Sequence, residues 1–365
     1  MFRMWDFPRV QIPVLSAAST AGFVRLSRNR TLQQAMVAGS LAVVGYQLYR
    51  IGTYTPLVRP TVRRATKDDP DNRIRLLITN VLMSNERYDL LLRRIRETDP
   101  DVILALEVDG KWLDALDGIE ERYPHVVRSP LDNFYGLVLY SRLELVDPRI
   151  EFVVQDDIPS VHTGVRLRSG QEIQLHGIHP RPPEPIRDEP SSPRDAELVI
   201  VGRAIGKNKG EIPTIVAGDL NDVAWSTTSE LFVRLSGLLD PRAGRGFYNS
   251  YNAHNPLFRW PLDHVFHSIH FELVNLRRLK AIGSDHFPIL IELQYNSEAV
   301  KEQEPSHRKP GDEDLADFKL RKEDEDAATG YDRPRGGVGW RSGRLQSAAP
   351  RRLGSASDSS SSGRT

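Results

Sequence analysis

The sequence predicts an α/β fold in which two packed β-sheets are flanked by helices. Short apolar segments typical of strands outnumber the amphipathic helical segments, and the helices occur singly between groups of strands. The chain has 365 residues, enough for one large domain with additional segments. These observations favour a layered α/β domain over a helical bundle or a small all-β module.

The strands are predicted where apolar residues run for four to eight positions. They cover residues 75–81, 102–107, 135–141, 149–154, 161–167, 172–178, 214–217, 262–267 and 288–294. Helices are predicted over residues 87–98, 111–121 and 192–207. The first has Leu91 and Ile95 on one face and stops at Asp99, and the third begins with a capping pair at Ser192 and Pro193.

Composition divides the chain into three regions. Residues 69–296 contain the predicted strands and helices and form the expected catalytic domain. Residues 297–365 are charged and then rich in Gly, Ser and Arg, and they are expected to be disordered because they offer too few apolar residues for a core. Residues 1–68 form an N-terminal membrane-associated and linker segment.

The N-terminal segment is predicted to contain apolar helical structure. Residues 35–51 form an apolar stretch of about the length that a transmembrane helix needs, and residues 12–24 form a weaker one. Arginines flank the first stretch on both sides, so the side of the membrane stays open. The alternative is a pair of helices that packs on the globular domain of a cytoplasmic protein.

Charge and cysteine content restrict the chemistry. Lys and Arg together number 49, as do Asp and Glu, so the net charge is zero, which lowers the expectation of non-specific duplex binding. The chain has no cysteine, which excludes disulfides, thiolate metal sites and cysteine nucleophiles. Any metal must be held by carboxylates, amides or imidazoles, which favours Mg²⁺ or Mn²⁺.

Polar residues recur where the apolar strands end. A single carboxylate at such a place means little, but strand ends along one edge of a sheet can converge on one site. The candidates are Asn80, Glu107, His179, Asp219, Asn221, Asp263, Asp285 and His286.

The ordered set of segments LLITNV, LALEV, IHPRPP, VAGDLND, LDHVF and GSDHFPI resembles the motifs of the endonuclease/exonuclease/phosphatase superfamily, also called DNase I-like. The resemblance covers residues 72–293 and includes similarity to bacterial membrane-anchored members, which implies a bacterial cell membrane as the location. One departure is Leu106, since other members usually have Gln before the glutamate.

The resemblance implies a four-layer sandwich of two mixed β-sheets flanked by helices, and a hydrolase that acts on phosphoester bonds. It implies that Glu107 and Asn80 hold Mg²⁺ or Mn²⁺ and that Asp285 completes the metal shell. It also implies that Asp219 orients or deprotonates the attacking water and that Asn221 hydrogen-bonds a phosphoryl oxygen.

Three further residues receive roles in the same way. His286 would contact the scissile phosphate, Asp263 would hold the other ring nitrogen of His286, and His179 would be a second imidazole at the phosphate. His179 is preferred over His176 because the proline-rich segment leaves the strand there. Arg194, in the first turn of a predicted helix, is a candidate for substrate phosphate, with an internal salt bridge as the alternative.

Three functions stay open at this point. The first is a nuclease-like phosphodiesterase that uses in-line attack by an activated water. The second is the same chemistry on a phospholipid or inositol-phosphate headgroup at the membrane. The third is a membrane-attached binding module without catalysis, although every position expected to carry chemistry holds a competent residue.

Overall fold

Two mixed β-sheets form the centre of the structure, which is a computed structural model that describes residues 3–182, 191–208, 210–328 and 342–343. The strands are β1 (Arg73–Asn80), β2 (Val102–Leu106), β3 (His125–Ser129), β4 (Leu137–Ser141), β5 (Glu144–Glu151), β6 (Ser160–Arg166), β7 (Glu172–Gly177), β8 (Thr214–Asp219), β9 (Asp263–His267), β10 (Phe271–Arg278), β11 (Ile289–Tyr295) and β12 (Ser342–Gly343).

The described helices surround these sheets. They are α1 (Gln11–Leu26), α2 (Arg30–Ile51), α3 (Tyr88–Thr98), α4 (Gly110–Leu116), α5 (Ser192–Gly206), α6 (Thr227–Ser236) and α7 (Asp312–Ala328). Short 3₁₀-helices span Arg3–Arg9, Gly52–Tyr54, Pro70–Asn72, Asp117–Ile119 and Ser297–Lys301.

Each sheet has one parallel pair of strands at or near its middle. The first sheet has the order β10-β11-β1-β2-β4-β3, and the second has the order β12-β5-β6-β7-β8-β9. Strands β1 and β2 are parallel, as are β7 and β8, and the other neighbours are antiparallel. Parallel neighbours end at the same edge of a sheet, so these two pairs can bring polar strand-end residues together.

Three apolar clusters confirm the predicted four-layer sandwich. The largest lies between the sheets, where Leu76 and Leu104 of the first sheet belong to the same cluster as Leu175 and Ile215 of the second. A second cluster packs α3 and α4 on the outer face of the first sheet. A third packs α5 and α6 on the outer face of the second sheet. Apolar burial of this kind is the main stabilising contribution to such a fold.

Strands β3 and β10 and helices α6 and α7 were not predicted from the sequence. Strand β10 is buried only over its first three residues and ends in exposed arginines, so its apolar pattern is weak. Helix α6 begins with polar residues, and its start is marked by Ser226, whose side chain accepts a hydrogen bond from the Ser229 amide. These elements depend on packing more than on a strong local pattern.

The N-terminal residues form an antiparallel hairpin of α1 and α2. The hydroxyls of Ser16 and Ser40 lie 3.0 Å apart across the hairpin. The Gln33 amide donates to the carbonyls of Val24 and Ser27 at 2.9 and 2.7 Å, which closes the end of α1.

None of the helices within the described ranges is both long and apolar enough to cross a bilayer. The transmembrane helix predicted over residues 35–51 is therefore not supported. Helix α2 includes Arg30, Gln33, Gln34 and Gln47, and these polar side chains reduce its apolar character.

The beginning of the C-terminal region differs from the predicted disordered tail. Residues 312–328 form α7, and Lys319 on this helix donates to Asp195 and to Thr228, each at 2.8 Å. Ala316 belongs to a small apolar cluster with residues of α5 and α6. Ion pairs and this apolar cluster hold α7 against α5 and α6, although its highly charged sequence does not predict a packed helix. Beyond residue 328 only β12, which pairs with β5, lies within the described residues.

Candidate active site

Polar residues from both sheets meet at one rim of the sandwich. Strand β1 ends at Asn80, Glu107 directly follows β2, and β8 ends at Asp219. Asp263 opens β9 and is the register partner of Asp219. The side-chain amide of Asn80 bridges the two sheets, since it donates to Glu107 at 2.7 Å and to Asp219 at 3.2 Å.

The backbone at this rim adopts conformations that favour glycine or require support from neighbours. Gly218 has φ +146°, and a Cβ at this position would lie 1.9 Å from the Ile178 carbonyl oxygen. Glu107 and Asn221 have φ values of +61° and +50°, although neither is glycine. Non-glycine residues in this region are uncommon and concentrate at functional sites.

Glu107, directly after β2, has one carboxylate oxygen without a hydrogen-bond partner. Its Oε1 accepts from Asn80, whereas its buried Oε2 has no hydrogen-bond partner. Burial raises the pKa of Glu107 to about 7, and the hydrogen bond from Asn80 only partly opposes this effect. An unsatisfied buried carboxylate oxygen in an oxygen-rich setting fits a bound hard cation.

Asp219 lies at the centre of the group and is almost completely buried. Its Oδ1 accepts from the backbone N–H of Asn221 at 2.9 Å, and its Oδ2 lies 3.5 Å from Nε2 of His286 and 3.8 Å from Nε2 of His179. Burial by itself would raise the pKa of Asp219, but the two imidazoles and the hydrogen bonds outweigh it and lower this pKa. Asp219 is therefore ionised near neutral pH.

His286 and Asp263 form a buried imidazole–carboxylate pair. Nδ1 of His286 lies 2.7 Å from Oδ2 of Asp263. Burial disfavours the imidazolium, yet the charges of Asp263 and Asp219 dominate and raise the pKa of His286 to about 10. His286 is accordingly protonated at neutral pH, and its Nε2 is directed toward Asp219.

The other predicted residues lie around this centre. His179 is buried, its Nδ1 has no hydrogen-bond partner, and burial lowers its pKa, so it is neutral near pH 7. The side-chain amide of Asn221 donates to the Pro180 carbonyl at 3.0 Å. Asp285 is half-buried, with Oδ1 3.4 Å from the Ser284 hydroxyl. Its charge contributes to the pKa of both Glu107 and His286.

Arg194, the candidate for substrate phosphate, makes internal contacts in the structure. Its side chain is 1% exposed, and it donates to the Asn221 carbonyl at 2.6 Å and to Asp195 at 3.3 Å. The guanidinium also lies 3.7 Å from Asp222. These contacts match the internal salt bridge, and they make Arg194 a support for the loop that carries Asn221.

Two neighbours of the site, Tyr251 and Ser250, were not among the site residues predicted from the sequence. The ring of Tyr251 lies 5.0 Å from that of His286 and stacks on Trp260 with an angle of 20°. The Ser250 hydroxyl accepts from the amides of Leu262 and Asp263 at 3.2 and 3.0 Å, which fixes the start of β9. No short motif marks these two residues, because their positions depend on a loop that folds back over the rim.

Several members of the group could hold a metal ion. Asp219, Asp263 and His286 each place one potential ligand atom within 4.8 Å of the others. However, Nδ1 of His286 is already hydrogen-bonded to Asp263, so this trio is better suited to positioning a proton. The buried Oε2 of Glu107, which has no hydrogen-bond partner, is the better match for a hard divalent cation.

Comparisons with solved structures find proteins that share this fold. Two similar solved structures are D. rerio TDP2 complexed with single-strand DNA product and the human nocturnin catalytic domain with bound sulfate anion. The TDP2 structure is 17% identical, with 61% of this chain and 100% of that chain covered and a TM-score of 0.50. The nocturnin structure is 18% identical, with 63% and 97% covered and a TM-score of 0.50.

These two likenesses show the fold, and no curated protein matches the chain. The sequence matches the endonuclease/exonuclease/phosphatase family over residues 78–286, which is more than half of its length and includes the whole rim from Asn80 to His286. Members of this family hydrolyse phosphoester bonds. The chain therefore belongs to the endonuclease/exonuclease/phosphatase family and is a hydrolase that acts on phosphoester bonds.

Proposed function

We propose that the protein is a divalent-cation-dependent phosphodiesterase with nuclease-like activity. One observation carries this proposal: the ionised carboxylate of Asp219 lies between an amide and two imidazoles, one of them protonated. A negative group that can hold water next to a positive group that can hold phosphate is what in-line attack on a phosphodiester requires.

Glu107, Asn80 and Asp285 would hold a Mg²⁺ or Mn²⁺ ion, which supplies a Lewis acid for the phosphoryl oxygen when it is bound. Asn80 keeps its amide directed at both Glu107 and Asp219, so the residues that would hold the cation and the residue that faces the water are fixed relative to each other. Oε2 of Glu107, which has no hydrogen-bond partner, is the ligand atom available to bind the cation.

Asp219 would orient the attacking water by accepting one of its protons in a hydrogen bond. Its lowered pKa makes it a weak base in the resting enzyme, so we assign it orientation first and proton acceptance only as the reaction proceeds. The protonated Nε2 of His286 would donate a hydrogen bond to a non-bridging phosphoryl oxygen, and Asp263 keeps that imidazole charged and fixed in orientation.

His179 and Asn221 would complete the contacts to phosphate. Neutral His179 can donate one hydrogen bond from the nitrogen that carries its proton. The amide of Asn221 uses one of its hydrogens on Pro180 and keeps a second for a phosphoryl oxygen.

A nucleic-acid strand is the substrate that the surroundings of His286 favour. Tyr251 and Trp260 form a half-buried stacked pair next to His286, and aromatic side chains stack on bases of any sequence. Arg259 lies in the same loop, with its guanidinium 5.0 Å from the Phe287 ring. An aromatic pair beside a cation is typical of single-strand binding grooves.

The test is hydrolysis by the full chain of single-stranded DNA, duplex DNA, RNA, sphingomyelin and inositol phosphates, with Mg²⁺ or Mn²⁺ and with a chelator. We expect metal-dependent cleavage of single strands, and we expect Asp219→Asn to reduce the rate by at least about 10³-fold while the circular dichroism spectrum is kept. Cleavage of the lipid or inositol substrates alone would instead identify a phosphoesterase that acts on phospholipid or inositol-phosphate headgroups. Metal-dependent binding without turnover would identify a binding module.

A further inference from the structure

The hairpin of α1 and α2 exposes apolar side chains on all of its sides. Helix α1 has no buried residue, and in α2 only Gln47 and Ile51, near the end that meets the domain, are buried. Leu15 is 65% exposed and Leu41 67%. A helix on the surface of a soluble protein usually turns an apolar face inward and a charged face outward. This hairpin has no such charged face along its length.

The charge of the hairpin is of one sign and is concentrated at its turn. No acidic residue occurs between Asp6 and Asp68. Arg25, Arg28 and Arg30 are exposed around the turn that joins the two helices. The projecting end of an apolar hairpin is therefore positively charged, although the whole chain has a net charge of zero.

The apolar surface continues from the base of the hairpin toward the active-site rim. The side-chain amide of Gln11, at the start of α1, donates to the Leu257 carbonyl at 3.0 Å. Leu257 and Phe258 are 74% and 50% exposed, and Trp5 in the preceding 3₁₀-helix is 67% exposed. These residues lie in or beside the loop that also carries Tyr251 and Trp260.

The base itself is firmly attached to the domain. The indole of Trp225 donates to the Asp6 carbonyl at 2.6 Å, and the ring of Phe7 meets that of Trp260 edge-on at 5.5 Å. Arg50 donates to the Trp225 carbonyl at 2.9 Å. A partner that binds the hairpin is therefore held at a fixed side of the catalytic rim.

We propose that the hairpin docks on the surface of an anionic lipid bilayer and holds the catalytic rim close to it. Exposed apolar side chains enter the boundary between headgroups and acyl chains, and the three arginines contact lipid phosphates. A second copy of the chain is a poorer occupant, because antiparallel or parallel pairing of two hairpins gains no carboxylate for these arginines.

The docked hairpin lies along the surface. Arginine side chains at the centre of a bilayer are costly, so an orientation that drives the turn into the hydrocarbon is disfavoured. Lying flat keeps the arginines and the side chains of Gln33 and Gln34 at headgroup level and still buries the leucines. The docking is independent of which phosphodiester the active site cleaves.

The test is flotation of the full chain with vesicles of phosphatidylcholine alone and of phosphatidylcholine mixed with phosphatidylglycerol. We expect partition onto the anionic vesicles to exceed partition onto the neutral ones by at least about tenfold. The triple variant R25E/R28E/R30E should lose about 100-fold or more in partition onto anionic vesicles, since each cation near an anionic surface contributes several-fold. The charge-matched variant R93E/R96E/K111E, on α3 and α4, should bind as the wild type does.

A second variant tests the apolar contribution separately. Leu15→Gln combined with Leu41→Gln should reduce partition by at least about tenfold at unchanged charge, with helix content checked by circular dichroism. Equal binding by both triple variants, or no effect of the leucine substitutions, would overturn the proposal. A third outcome would also overturn it: the wild type does not float with the vesicles, and analytical ultracentrifugation instead shows a dimer that the leucine substitutions dissociate.

Discussion

Replacing Glu107 by Gln is expected to make the metal-free protein more stable while removing its activity. Gln is nearly isosteric, and its Oε1 can still accept the hydrogen bond that Asn80 donates at 2.7 Å. What the substitution removes is a negative charge that burial disfavours. The same charge is the one we propose for cation binding, so stability and function should change in opposite directions.

The magnitude follows from the pKa of Glu107. A pKa raised from 4.5 to about 7 corresponds to about 3 kcal/mol, at about 1.4 kcal/mol for each pH unit. The side chain is partly exposed, so we expect about 1–3 kcal/mol. The sign is that of an acid with a raised folded-state pKa: the wild type loses stability as pH rises from 4.5 to about 7, and the loss is complete above that pH.

The assay is urea unfolding of both proteins at pH 4.5 and pH 8 in the presence of a chelator. At pH 8 the variant should be more stable than the wild type by about 1–3 kcal/mol, and at pH 4.5 the two should agree closely. Added Mn²⁺ should then stabilise the wild type and leave the variant unchanged. Equal stabilities at pH 8 would contradict the cost of burying this charge, and equal stabilisation of both proteins by Mn²⁺ would contradict a cation site at Glu107.

Three further substitutions test other parts of the rim. Asp263→Asn should lower the pKa of His286, which is now about 10, so the alkaline limb of the pH–rate profile should move to lower pH; an unmoved limb would contradict that pairing. Arg194→Ala should cost about 1–3 kcal/mol in urea unfolding because it removes the buried hydrogen bonds to the Asn221 carbonyl and to Asp195, and a selective rise in KM at unchanged stability would instead support substrate binding. Gly218→Ala should destabilise by about 3 kcal/mol or more, since its Cβ would lie 1.9 Å from the Ile178 carbonyl oxygen, whereas Gly170→Ala, with nothing within 4 Å of its Cβ, should cost less.

The order of strands and their terminal polar residues could be predicted from the sequence. A strand buried on both sides appears as a continuous apolar run, and a polar residue that follows it is conspicuous. This is why Asn80, Glu107 and Asp219 stood out, and why the family resemblance could be assigned from short segments. The structure also places His179, rather than His176, beside Asp219, as the proline-rich segment indicated.

The partners of these residues depend on contacts across long distances in the chain. Asn80 meets Asp219 across 139 positions, and this contact requires the two sheets to pack with the correct rim in common. Tyr251 reaches His286 through a loop without a recognisable motif. For Arg194 the sequence left both substrate phosphate and an internal salt bridge open, because the role of a first-turn arginine near a site depends on its burial.

The family, the strand-end residues and the apolar N-terminal segment could be read from the sequence alone, because each corresponds to a local pattern of residue types. The pairing of α1 with α2, the packing of α7 on α5 and the protonation of His286 became known from the folded chain. A local pattern shows only which residues one segment can bury. Ion pairing, pKa values and exposed surfaces depend on which segments meet, and that is set only when the sheets and helices have packed.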